Sequence, residues 1–123
     1  MDHLRPGFHT VTPRIFVGDA DALITFLRIV FDATGEVAPN RPAELRIGDS
    51  VVMVAPADER DVFPACLYIY VPDADSTYAA ALNAGAESLE EPFDTPYGDR
   101  RAMIRDRFGN VYQLATATTA MSV

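Results

Sequence analysis

The chain contains no lysine and no tryptophan, and it has one cysteine and two histidines in 123 residues. The lone cysteine, Cys66, can form no internal disulfide, which agrees with a reducing compartment. No apolar run approaches the roughly 18–20 residues that cross a bilayer. The start, Met1-Asp2-His3-Leu4-Arg5-Pro6, has no apolar signal core behind a basic end. The expected compartment is therefore the cytoplasm, with no membrane partner. All cationic side chains but the histidines are arginines, ten of them against eighteen carboxylates, for a formal net charge of −8. An acidic chain without a basic stripe repels phosphate backbones, so no nucleic-acid partner is expected. A cationic ligand would be attracted, although acidity also serves solubility.

What is present is enough for one packed core, since 49% of residues are hydrophobic. The length suits one domain over 1–123. A domain this small leaves much surface unburied, so pairing with a second copy would help and an oligomer is the expectation from size.

The two halves of the chain repeat. Thr12-Pro13-Arg14-Ile15-Phe16-Val17-Gly18-Asp19-Ala20-Asp21 matches Cys66-Leu67-Tyr68-Ile69-Tyr70-Val71-Pro72-Asp73-Ala74-Asp75, 54 residues on, with Ile, Val, Asp, Ala and Asp identical in place. Each copy reads as a strand rich in β-branched and aromatic residues, then an Asp-capped helix start. Leu23, Phe26, Leu27 and Val30 follow at the spacing of one buried helix face, with Gly35 as the expected terminator. Tyr78, Ala81 and Leu82 repeat that spacing, and Asn83-Ala84-Gly85 ends the second helix.

Strands follow each helix. Ala43–Ile47 alternates apolar with charged residues, Gly48-Asp49 turns, and Val51–Val54 returns. Arg101–Arg105, the turn Asp106–Asn110 and Val111–Ala115 do the same in the second half. Weaker strand signals lie at about 35–40 and 86–91. Residues 56–65 read as a linker and 116–123 as a loose tail. The order is βαβββ twice, in halves of about 10–56 and 65–116. The expected class is α+β, tandem βαβββ modules forming a curved mixed sheet with helices on its convex face. A ferredoxin-like sandwich is the alternative.

Several stretches resemble the vicinal-oxygen-chelate superfamily of glyoxalases, bleomycin-resistance proteins and extradiol dioxygenases. They are Val11-Thr12-Pro13 leading to Val17-Gly18-Asp19, Ala43–Met53 with its Glu-Leu-Arg-Ile-Gly-Asp-Ser hairpin, Leu67–Asp73, and Gly98-Asp99-Arg100 through Arg105–Asn110. Within the superfamily the chain is most similar to the PhnB-like branch. The resemblance implies two half-cups closing around a cavity, often completed at a homodimer interface. It also implies four ligand positions, one from the first and last strand of each half. Here they fall on Thr12, Met53, Cys66 and Gln113. A hydroxyl, a thioether, a thiol and an amide make a poor set for an oxygen-loving dication, so no metal and no other cofactor is expected. His3 and His9 precede the first strand and read as mobile terminal residues.

Strand alternation sends Ile15, Val17, Leu67, Ile69 and Val71 to the helices. It sends Thr12, Arg14, Phe16, Glu44, Arg46, Val51, Met53, Cys66, Tyr68, Tyr70, Arg101, Met103, Arg105 and Gln113 into the cup. Aromatic walls with methionine between them suit a small, flat organic ligand. The same side chains would also fill a collapsed cup or an interface. The arginines either bind an anion or pair with Glu44 and Asp99. Cys66 is a nucleophile or a buried thiol. Pro92–Gly98 reads as a loop over the cup mouth. The set favours a metal-free binding protein of the sequestering or resistance type. A lyase, isomerase or dioxygenase-like enzyme with Glu44 as general base is the alternative.

Overall fold

In the computed structural model of the chain, residues 3–57 and 62–118 are described; part of the expected linker and most of the expected tail lie outside them. The chain divides into two compact units, Met1–Phe63 and Pro64–Val123. The first carries β1 (Arg14–Val17), α1 (Ala20–Phe31), β2 (Ala43–Ile47) and β3 (Ser50–Pro56). The second carries β4 (Cys66–Tyr70), α2 (Ala74–Asn83), β5 (Glu87–Asp94), β6 (Asp99–Arg105) and β7 (Val111–Ala117). The class is α+β, with one mixed sheet and one helix in each unit.

Both helices start where the repeated aspartates stand. Asp19 accepts from the Ala22 N–H at 3.0 Å, and Asp73 accepts from Asp75 and Ser76 at 3.1 and 3.3 Å. These bonds satisfy first-turn donors that have no partner within the helix. Leu23, Phe26, Leu27 and Val30 are buried as the spacing requires. The first helix ends on Asp32, in the left-handed region at φ 54°, not on Gly35. A short polar side chain tolerates that conformation. Gly35 serves a different need: a Cβ there would stand 2.5 Å from the Glu44 carbonyl oxygen, so only glycine lets the chain pass β2 this closely.

In the first sheet the order is β1-β3-β2, and in the second β4-β7-β6-β5. The outer strand of each repeat runs parallel to the last one, β1 to β3 and β4 to β7. The strand expected at 35–40 does not form. Only Thr34 bridges to Arg46, after which Pro39 and Pro42 offer no N–H and Asn40 sits at φ 68°. Proline cannot donate to a strand ladder. Its counterpart in the second unit is a full strand, β5, which tolerates Pro92 because it lies at the sheet edge. Pro92, Phe93 and Asp94 therefore belong to β5, and the expected loop shrinks to 95–98. The tail also starts later than 116, because β7 runs to Ala117.

The core of each unit lies between sheet and helix. Ile15, Val17, Leu45 and Val54 are at most 1% exposed, as are Ile104, Tyr112 and Leu114 in the second unit. The turn before β7 is locked from within. Asp106 Oδ1 accepts the N–H groups of Phe108 and Asn110, and its Oδ2 accepts the Asn110 amide and the Tyr112 hydroxyl at 2.7 Å. No helix among the described residues is long and apolar enough to cross a membrane.

Candidate functional site

The open face of the first sheet is occupied by the chain's own N-terminal segment. Arg5 pairs with Glu44 at 2.8 Å and lies over the Phe8 ring. Arg46 donates to the Gly7 carbonyl at 3.2 Å, and His9 Nε2 stands 2.9 Å from the Asp49 carbonyl oxygen. His9 is thus tied to the β2–β3 turn, contrary to its reading as a mobile residue. Glu44 is neutralised by Arg5, which weakens its case as a bare general base. Met53 sits between Glu44 and Arg14 in register, and its N–H donates to the Pro13 carbonyl. Thr12 lies just before β1, and Arg14 lies over Phe16 with the ring centroid 5.0 Å away. Beside β1 and the segment 37–42 that precedes β2, a cavity of about 500 Å³ opens, lined by Arg14, Asp21, Ile24, Val37, Arg41 and Val54 among others.

The second unit presents a fuller set. Registered pairing puts three rows on its open face. Cys66, Val111, Arg105 and Glu87 form one, Tyr68, Gln113, Met103 and Glu90 the next, and Tyr70, Ala115, Arg101 and Phe93 the third. Tyr68 and Tyr70 are 40% and 63% exposed, with ring centroids 5.5 Å apart in an edge-to-face arrangement. Cys66 is exposed, not buried, because the first residue of β4 points to this open face.

Asp99 anchors the aromatic pair. Its side chain is nearly buried, and one oxygen, Oδ2, accepts both the Tyr68 hydroxyl at 2.6 Å and the Tyr70 hydroxyl at 2.9 Å. Burial and then the hydrogen bond to Asp99 hold the Tyr68 phenol well above its ordinary range. The bond to Asp99, ahead of burial, does the same for Tyr70. Both hydroxyls therefore stay protonated donors, because ionising either would set a phenolate against a carboxylate. Thr95 holds the start of β6 in place. Its hydroxyl accepts from the Asp99 N–H and donates to the Asp99 carbonyl, both at 3.0 Å.

The arginines of the second unit pair with carboxylates other than the expected ones. Asp99 takes tyrosines, not an arginine. Arg101 instead binds Glu90 at 3.1 Å, donates to the Tyr97 hydroxyl at 2.6 Å and lies over Phe93. Burial works against its charge, but the bond to Glu90 and the negative charge there outweigh it, leaving the guanidinium above its ordinary range. Arg105 pairs with Glu87, and Arg100 with Asp75 and Asp94.

Sequence reasoning missed Tyr97, Glu90 and Phe93 as members of this face, and took Asp99 only as an arginine partner. A usable signal existed for Asp99, since it shares the period of Arg101, Met103 and Arg105 along β6. Glu90 and Phe93 gave none, because β5 breaks register on either side of Glu90.

A sequence profile described as the glyoxalase/bleomycin resistance protein/dioxygenase superfamily matches residues 2–114. The chain belongs to that superfamily. No curated protein sequence matches it. Among solved structures, TioX from Micromonospora sp. ML1 is similar at TM-score 0.77 and 21% identity, over 89% of this chain and 98% of that one. A glyoxalase/bleomycin resistance protein/dioxygenase family enzyme from Burkholderia phytofirmans PsJN reaches 0.75 at 20% identity, over 86% and 96%. Lactoylglutathione lyase from Agrobacterium tumefaciens reaches 0.70 at 18%, over 91% and 96%. At these identities the likeness concerns fold alone, and fold does not fix activity.

The four positions that the family resemblance marks out carry weak donors for a hard dication. Thr12 and Met53 in the first unit, and Cys66 and Gln113 in the second, supply no carboxylate and no imidazole. A hard dication wants charged or strongly polar oxygen and nitrogen donors. Among the described residues no three His, Cys, Asp or Glu side chains converge on one point.

Proposed function

We infer that this superfamily member is a metal-free small-molecule-binding protein, sequestering an aromatic or cationic ligand. The observation that carries this reading is the open face of the second sheet, where two exposed tyrosines stand on a nearly buried carboxylate. Aromatic faces offer stacking area, and Met103 beside them adapts to irregular shapes. Glu90 has neutralised Arg101, so the face is polar without being basic. Binding of this kind fits a resistance-type role within the PhnB-like branch, in a protein that works as a homodimer in the cytoplasm. Of the residues that the sequence places in the cup, Cys66, Tyr68, Tyr70, Arg101, Met103 and Gln113 form the site in this reading.

Equilibrium dialysis of metal-free protein against a panel of flat organic molecules tests it, alongside elemental analysis of the protein as purified. Saturable binding with no bound metal supports the reading. One equivalent of zinc, nickel, manganese or iron per chain, with turnover of a substrate, would favour a metal-dependent lyase, isomerase or dioxygenase instead.

A further inference from the structure

The second unit holds two nearly buried carboxylates, and they are finished differently. Asp106 is closed, with two donors on each oxygen. Asp99 is half open. Its Oδ2 takes the Tyr68 and Tyr70 hydroxyls, while among the described residues no donor reaches Oδ1. Every fully buried side-chain polar atom among those residues has a partner, so the free Oδ1 is one that solvent reaches. A carboxylate withdrawn from water keeps a strong demand for donors.

Charge pairing on the same face leads to the same atom. On that face Arg101 is matched by Glu90 and Arg105 by Glu87, while Arg100, on the opposite face of β6, is matched by Asp75 and Asp94. Asp99 has only neutral phenols. Among the described residues no arginine pairs with it, and the chain's net charge of −8 favours the approach of a cation. Exposed rings surround it: Tyr68, Tyr70 and Tyr97 are 40%, 63% and 56% exposed. Ring faces attract cations as well as flat apolar bodies.

We propose that Asp99 is the specificity-determining residue of the site, its Oδ1 receiving the N–H groups of an organic cation whose flat body lies against Tyr68 and Tyr70. The ligand class is an amidinium, guanidinium or primary ammonium attached to an aromatic or otherwise planar frame. This proposal rests on the reading of the face as a ligand site, and adds to it the charge and donor character of the ligand. The tyrosine hydroxyls act as positioning groups. They fix the carboxylate on one side and leave the other oxygen to the ligand.

Calorimetric titration of the full chain with three molecules of one shape tests this: benzamidine (cationic), benzamide (neutral) and benzoate (anionic). Charge-assisted hydrogen bonds exceed neutral ones, so benzamidine is expected to bind about tenfold or more tightly than benzamide, with benzoate weakest. In Asp99→Asn the benzamidine advantage over benzamide should disappear, with an unchanged near-ultraviolet circular dichroism spectrum showing that the variant is folded. If that variant does not fold, the three-ligand ranking on the wild-type chain decides alone. Benzamide or benzoate binding as tightly as benzamidine would overturn the assignment of a cation but leave the binding site standing. Failure of all three to bind would remove the binding reading itself, and this proposal with it.

Discussion

The Tyr68 hydroxyl lies 2.6 Å from Asp99 Oδ2, although β4 and β6 are separated by β7 in the sheet. The bond spans the intervening strand on the open face, and Tyr70 joins it from the same side at 2.9 Å. Donation of this kind needs the neutral phenol. Folding therefore favours protonated Tyr68 and Tyr70, and buried Tyr112 beside Asp106 behaves alike, chiefly through its burial. The stabilisation is complete below the ordinary phenol range near about 10 and is lost as pH rises through the higher folded-state values. Absorbance-monitored titration should show these tyrosines ionising later than free tyrosine, with thermal stability falling over the same alkaline window. Normal titration of all five tyrosines in the folded protein would contradict it.

The closed carboxylate makes a separate prediction. Tyr112 is fully buried, and its hydroxyl supplies one of the two donors on Asp106 Oδ2. Tyr112→Phe should cost about 1–3 kcal/mol, the penalty for a buried polar group left short of a partner. Urea unfolding measures this. Asp106→Ala should cost more, because it strands two backbone N–H groups, an amide and a phenol at once.

How far these features could be read in advance depended on the kind of signal. The repeat and the aspartate caps were legible because one local rule set each: strand alternation and first-turn donors. The burial of Ile15 and Val17 against exposed Tyr68 and Tyr70 followed from the same alternation. The missing strand at 35–40 was not legible from periodicity. There Pro39, Pro42 and a left-handed Asn40 override whatever strand tendency the segment has. Likewise, nothing in the spacing says that Arg5 and His9 fold back on β2 and its turn, since those contacts span 39 and 40 residues. The partnership of Arg101 with Glu90, in place of Asp99, depends on the irregular register of β5 and is a tertiary outcome.

The repeated helix caps can be weighed against each other. Asp73→Ala removes two bonds to the start of α2, and Asp19→Ala removes one to the start of α1. Each should destabilise the protein by about 1 kcal/mol. The loss at Asp73 should be the larger, because α2 buries little beyond Ala74 and Ala81 and depends more on its cap. Equal midpoints for wild type and Asp73→Ala in urea would show that the cap contributes nothing.

The most direct test of the account follows the tyrosine ring signals by NMR while metal-free protein is titrated with a flat organic cation such as benzamidine. Saturable shifts are expected at Tyr68, Tyr70 and Tyr97, with Tyr112, sealed in the core, unmoved. Rings that stay still throughout, or that respond only after a divalent metal is added, would contradict it.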